Sequence, residues 1–167
     1  MKNSVRRMTL TGIMAALTFV ATAFIHINIP ASTGYVNLGD AVILFTAVFI
    51  DPFAGALAGI IGAVLGDLYL GAGMYVPFTI FAKLFEAVVA GYLFKAIKNK
   101  KAQSLAIPVG ALLIVPVYAL AYWIFGGWSL VLASSPFDLI QVAVSSAVSI
   151  ALVLVLRKTR IKSLSEE

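Results

Sequence analysis

The sequence predicts an all-α integral membrane protein: six transmembrane helices in one bundle, with both termini in the cytoplasm. Three observations predict it. Of 167 residues, 62% are hydrophobic and 11% charged, whereas soluble domains hold roughly 45–50% apolar and about 25% charged residues. The apolar residues fall into six segments, and most approach the roughly 20 residues that cross a hydrocarbon core. Every Lys and Arg except Lys83 falls on the side that six alternating crossings share, which the positive-inside rule makes the cytoplasm.

The first segment, 8–27, follows Lys2, Arg6 and Arg7. It is as long as a span, has no small-residue cleavage pattern before polar sequence and precedes further spans, so it reads as a helix rather than a removed signal. The second, 38–50, is short, and the preceding loop 28–37 can complete its outer end by folding back into the protein. The third and fourth, 52–70 and 74–96, meet at an outer loop, 71–73. Lys95, Lys98, Lys100 and Lys101 mark the return to the cytoplasm before the fifth, 105–125. The sixth, 128–156, contains SSPFD, which predicts a loop or a kink at Pro136 with a helix starting near Asp138. One domain of 1–167 results, with basic cytoplasmic tails at 1–7 and 157–167, the latter carrying Arg157, Lys158, Arg160 and Lys162. The outer loops carry no Lys or Arg.

Lys83 is the cation inside a span. A charge near the bilayer centre costs at least about 2.5–3.5 kcal/mol and faces a partner or a cavity. Glu86 lies one turn further on the same helix face. Two readings stand: a pair that cancels internally and fixes helix packing, or groups lining a substrate pocket. Other polar residues gather in the outer half: Asn37 and Asp40 at the start of span two, Asp67 and Tyr69 near the end of span three, Asp138 and Gln141 at the start of span six. Tyr118, Tyr122 and Trp123 lie near the outer end of span five, where an interfacial aromatic belt would also put them. His26 reads as an interfacial residue.

Small residues recur four apart in span three: Gly55 and Gly59, Ala58 and Gly62, Gly62 and Gly66. Span one repeats the spacing at Gly12 and Ala16. Such stripes let helices approach closely, within the bundle or against another subunit. The chain has no GxxxxGK[ST] phosphate loop, no G-x-S-x-G nucleophile, no cysteine and a single His. It therefore reads as a non-enzyme without a cofactor, built to hold a small molecule and lacking a motor of its own.

These residues resemble an S component, the substrate-binding membrane subunit of energy-coupling factor (ECF) vitamin transporters. TGIMAALTFVAT in span one, IHINIPASTGYVNLGDAVIL before and into span two, and FAKLFEAVVAGYLF in span four carry the resemblance, which extends over nearly the whole chain. Within the family the chain looks most like the hydroxymethylpyrimidine or pyridoxine branch; riboflavin, pantothenate and thiamine are the alternatives. The resemblance implies a multi-pass protein of the bacterial plasma membrane that captures a vitamin at the extracellular face. A second membrane subunit and two cytosolic ATPases would drive uptake. It also maps a partner-contact face onto Gly12, Ala15 and Ala16. The expected substrate-binding residues are Tyr35, Asn37, Asp40, Asp67, Lys83, Glu86, Trp123 and Gln141, with GYVNLGD, 34–40, as gate and part of the wall, Gly34 and Gly39 allowing its sharp backbone path. A stand-alone ion- or proton-coupled transporter using Lys83, Glu86 and Asp67 is the competing class.

Overall fold

The computed structural model describes residues 2–29, 34–100 and 102–158. Lys101, the loop residues 30–33 and the tail from 159 on, with Arg160 and Lys162, lie outside the described residues. The chain runs α1 (Lys2–Phe24), β1 (His26–Asn28), β2 (Tyr35–Asn37), α2 (Gly39–Phe49), α3 (Pro52–Tyr69), α4 (Val76–Ala96), α5 (Ala106–Ala111) and α6 (Ile114–Lys158). The expected basic tail before residue 8 is thus the first two turns of α1.

Among the described residues, four helical stretches are long and apolar enough to cross a membrane, while α2 is apolar but has only 11 residues. At 1.5 Å per residue it reaches about 16 Å, roughly half of a hydrocarbon core. The missing height is filled by an element the sequence reading did not specify as strands. Strands β1 and β2 pair antiparallel, His26 opposite Asn37 and Asn28 opposite Tyr35, and the hairpin leads into the N-terminal end of α2. Pairing satisfies the backbone groups that a coil at that depth would leave exposed.

The α6 helix is not one rod. Gly127 has φ 66° and ψ −164°, a backbone conformation that glycine adopts without steric cost. The Tyr122 hydroxyl donates to Asp138 at 3.1 Å across 16 residues, whereas a continuous helix would hold them about 24 Å apart. The chain therefore doubles back at Gly127. This corrects the expected break at SSPFD: residues 134–138 are helical and Pro136 lies inside the second arm. Gly127 has already made the reversal, so Pro136 needs only to omit one backbone donor. A smaller interruption at 112–113 separates α5 from α6, where Pro116 cannot donate to the Leu112 carbonyl.

Helix α3 is central, packing on α1, α2 and α4. Its small residues divide between two neighbours. A Cβ on Gly55 would lie 2.7 Å from the Ala47 backbone of α2, and one on Gly62 would lie 2.6 Å from the Ala15 carbonyl of α1. Gly59 likewise faces Ile43, and Gly66 faces Thr22. Replacing Gly62 with Val should cost about 1–3 kcal/mol, because the obstructing atoms belong to backbone and to the β-branched Thr18. Gly12→Ala, with nothing within 4 Å of the added carbon, should leave the melting temperature in detergent unchanged. Equal melting of the two variants would refute this packing.

At one end of the bundle Asp51 caps α3, accepting from Phe53 N–H at 2.9 Å and Ala54 N–H at 3.4 Å. The same carboxylate meets Arg7 of α1 at 2.9 Å and Lys95 of α4 at 3.5 Å. Arg157, near the end of α6, donates to Gln103 at 2.7 Å and lies over the Phe94 ring. The cationic helix ends therefore meet at the end opposite the hairpin.

Candidate functional site

The site grows from the turn that joins the hairpin to α2. The Asn37 side-chain oxygen accepts from Gly39 N–H at 2.7 Å and from the Thr22 hydroxyl at 3.3 Å, an Asx-type turn that starts the helix. Neither Gly34 nor Gly39 is among the glycines with positive φ. Gly39 is required for space instead: a Cβ there would lie 2.1 Å from the Thr22 hydroxyl. With α2 started in this way, Asp40 projects into the bundle, 1% exposed.

Asp40 is the residue that explains Lys83. The Lys83 ammonium donates to Asp40 Oδ1 and, at 3.5 Å, to Glu86, and it lies 5.6 Å from the centre of the Tyr118 ring. All three charged side chains are at most 2% exposed. The other Asp40 oxygen accepts from the Gln141 amide at 2.5 Å, and the Gln141 carbonyl accepts from Asn37 N–H at 2.7 Å. One glutamine thus ties the hairpin, α2 and α6 together. Glu86 keeps Oε1 without a hydrogen-bond partner and packs beneath the cavity rather than on its wall. The pair Lys83 and Glu86 is therefore part of a wider network whose principal contact spans 43 residues of sequence.

A second network lies above it. Asp67 accepts from the Tyr35 hydroxyl on one oxygen and from Thr79 at 2.6 Å on the other. Thr79 and Tyr118 are 3.2 Å apart. A threonine hydroxyl has one proton, and Thr79 gives it to Asp67, so Tyr118 donates to Thr79. The Tyr35 phenol thus links the hairpin to α3. Its edge also faces the His26 ring, with centroids 5.7 Å apart.

Between the networks is a cavity of about 20 Å³ lined by Gly34, Tyr35, Asn37, Ala63, Asp67, Tyr75, Lys83, Tyr118, Tyr122, Asp138 and Gln141. That volume admits about one water molecule. Of the expected binding residues, Tyr35, Asn37, Asp67, Lys83 and Gln141 line it, and Asp40 and Glu86 hold Lys83 from behind. Trp123 is not brought to it. Its side chain is 53% exposed on the outside of the bundle, while its neighbour Tyr122, one helical step round, faces the cavity.

The sequence reading had noted Tyr118, Tyr122 and Asp138 without naming them as binding residues, and had passed over Tyr75 and Thr79. Spacing held the missing signal. Tyr118 and Tyr122 are four apart and stack at 6.4 Å; Thr79, Lys83 and Glu86 are spaced four and three, one face of α4.

On α1, Gly12 and Ala16 lie on the exposed face. Ala15 does not: it is 6% exposed and its carbonyl abuts Gly62 of α3. At about 100° per residue Ala15 is turned about 100° from Ala16 and about 60° from Gly12, toward α3, so it is not on the exposed face they share.

Residues 2–158 match the family described as "ECF-type riboflavin transporter, S component". The chain belongs to this family. The S component is thereby a transport subunit of the multi-pass membrane type, and S components work with a transmembrane coupling subunit and ATPases. The description names riboflavin, so it lends no support to the hydroxymethylpyrimidine or pyridoxine branch expected from the sequence. A protein of Pyrococcus woesei described as "Uncharacterized protein in gap 3'region" is 35% identical over 108 residues, 64% of this chain and 72% of the relative.

Proposed function

We propose that this S component captures a small, flat, water-soluble vitamin at the extracellular face, between the hairpin and the bundle, for ATP-driven uptake by its partner subunits. The cavity carries the reading: tyrosine rings for stacking and a few fixed polar groups for orientation, converging under an element that can lift. In this reading six crossings are made by α1, α2 with the hairpin above it, α3, α4, α5 with the first arm of α6, and the second arm of α6. The end holding Arg7, Lys95 and Arg157 faces the cytoplasm of the cell. Gly12 and Ala16 meet the coupling subunit.

Entry of a vitamin lifts Tyr35 and Asn37 outward and breaks their bonds to Asp67 and Gln141; because the closed cavity holds only about one water, the lining side chains also move apart before those bonds re-form over the ligand. Riboflavin, named by the family, and hydroxymethylpyrimidine, pyridoxine, pantothenate and thiamine, raised by the sequence, are the candidate ligands.

The test is release of small molecules from the purified protein by denaturation, followed by mass spectrometry and reconstitution into liposomes. A stoichiometric vitamin is expected, with transport only when coupling subunit, ATPases and ATP are present. Transport by this chain alone, driven by an ion gradient, would instead establish a secondary transporter.

A further inference from the structure

The hydrogen-bond inventory of the cavity is unbalanced. The hydroxyl protons of Tyr35, Thr79, Tyr118 and Tyr122 are all committed, to Asp67, Asp67, Thr79 and Asp138 respectively. Both oxygens of Asp67 and both of Asp40 are occupied. One acceptor on the wall is not: Asp138 Oδ2 is buried with no partner, on a side chain whose residue is 3% exposed. A carboxylate oxygen in that position costs the protein desolvation that nothing in its own chain returns.

Acid groups also outnumber cations there. The wall and the network behind it hold four carboxyl groups, Asp40, Asp67, Glu86 and Asp138, against the single cation Lys83 among the described residues. Lys83 is already engaged by Asp40 and Glu86. The cavity wall that Asp138 shares carries four tyrosines, Tyr35, Tyr75, Tyr118 and Tyr122. Tyr122, which donates to the other Asp138 oxygen, stacks with Tyr118 and meets Tyr75 edge to face at 6.0 Å, so that aromatic rings stand beside a carboxyl oxygen without a partner. Rings and an unpaired carboxylate together attract an organic cation, through the ring quadrupole and through a charge-assisted hydrogen bond.

Building on the vitamin-binding reading, we infer that the ligand of this S component is a cationic or protonated nitrogen compound, an aromatic ring bearing an ammonium, pyridinium or azolium nitrogen, whose positive end sits at Asp138 beside Tyr122. A neutral heterocycle would stack equally well but would leave Oδ2 unpaired or force it to take up a proton.

The experiment compares four probes by calorimetric titration of the wild-type protein in detergent at pH 7: thiamine and pyridoxamine, which carry a positive nitrogen, and riboflavin and nicotinamide, which carry none. At least one cation is expected to bind about tenfold or more tightly than both neutral probes. Asp138→Asn is expected to weaken that cation by about tenfold and to change any neutral probe by less than about threefold. A neutral probe binding as tightly as the cations, or an equal loss for both kinds in the variant, would overturn the inference while leaving the vitamin-binding reading intact. Absence of binding by all four would overturn that reading as well. Selectivity of the wild type is read without any variant, so misfolding of Asp138→Asn leaves the inference open to refutation.

Discussion

Lys83→Met is expected to destabilise the protein by about 3–5 kcal/mol, enough to remove most of the folded material from detergent extracts. The reason lies in what the substitution leaves behind. Asp40 is 1% exposed and Glu86 fully buried. Without the ammonium, Asp40 keeps only the Gln141 amide, and Glu86 loses its hydrogen bond to the ammonium. A buried pair contributes little over an apolar replacement of the same volume, whereas breaking it by removal of one partner is costly. The double variant Lys83→Met with Asp40→Asn should therefore recover a good part of the loss, because an amide in place of the carboxylate still accepts from Gln141 and carries no charge. The measurement is thermal unfolding followed by fluorescence-detected size exclusion, run as a double-mutant cycle. A single Lys83 variant as stable as wild type would mean that water or lipid reaches this network, contrary to its burial.

The second large effect falls on ligand retention. Asp67→Ala removes the acceptor for both Tyr35 and Thr79. Two hydroxyl protons, those of Tyr35 and Thr79, then lack an acceptor, Tyr118 loses the fixed orientation of Thr79, and the hairpin loses one of its three side-chain ties to the bundle. Each unpaired group costs about 1–3 kcal/mol, so affinity for the vitamin that copurifies should fall by about tenfold to a hundredfold. Most of that fall should reside in the dissociation rate, because the Tyr35 bond must break before a ligand can leave. Stopped-flow release from the wild type and the variant would show it. An unchanged release rate together with weaker binding would place Asp67 in ligand contact only and remove it from the closure of the hairpin.

Both predictions depend on contacts of different legibility. The membrane class, the apolar segments and the clustering of Lys and Arg at segment ends were readable because they follow from local composition against a bilayer of fixed thickness. So was the importance of Lys83, since a charge within a span has few tolerable environments. Its main partner was not readable. Glu86 was chosen because helical periodicity makes residues three apart neighbours, whereas Asp40 comes from another helix and no period connects the two. The same limit explains Trp123 and Tyr122: adjacent aromatics at an interface look alike in sequence, and only packing decides which turns inward. The break expected at Pro136 failed for a related reason. Proline removes one donor wherever it stands, but the chain reverses where the backbone can adopt positive φ, and Gly127 does so nine residues earlier.

By itself, the sequence determined the solvent this chain lives in, the segments that lie in it, the residues too polar to face lipid, and a resemblance to ECF S components that residues 2–158 bear out as a family. Those properties are set by burial free energies that each segment carries alone. Tertiary structure decided the rest. It paired Asp40 with Lys83, closed Tyr35 onto Asp67, folded α6 back at Gly127, turned Ala15 away from the outer face and left Asp138 Oδ2 without a partner. Each of these is a contact between segments far apart in the chain, and its geometry exists only once the helices have packed.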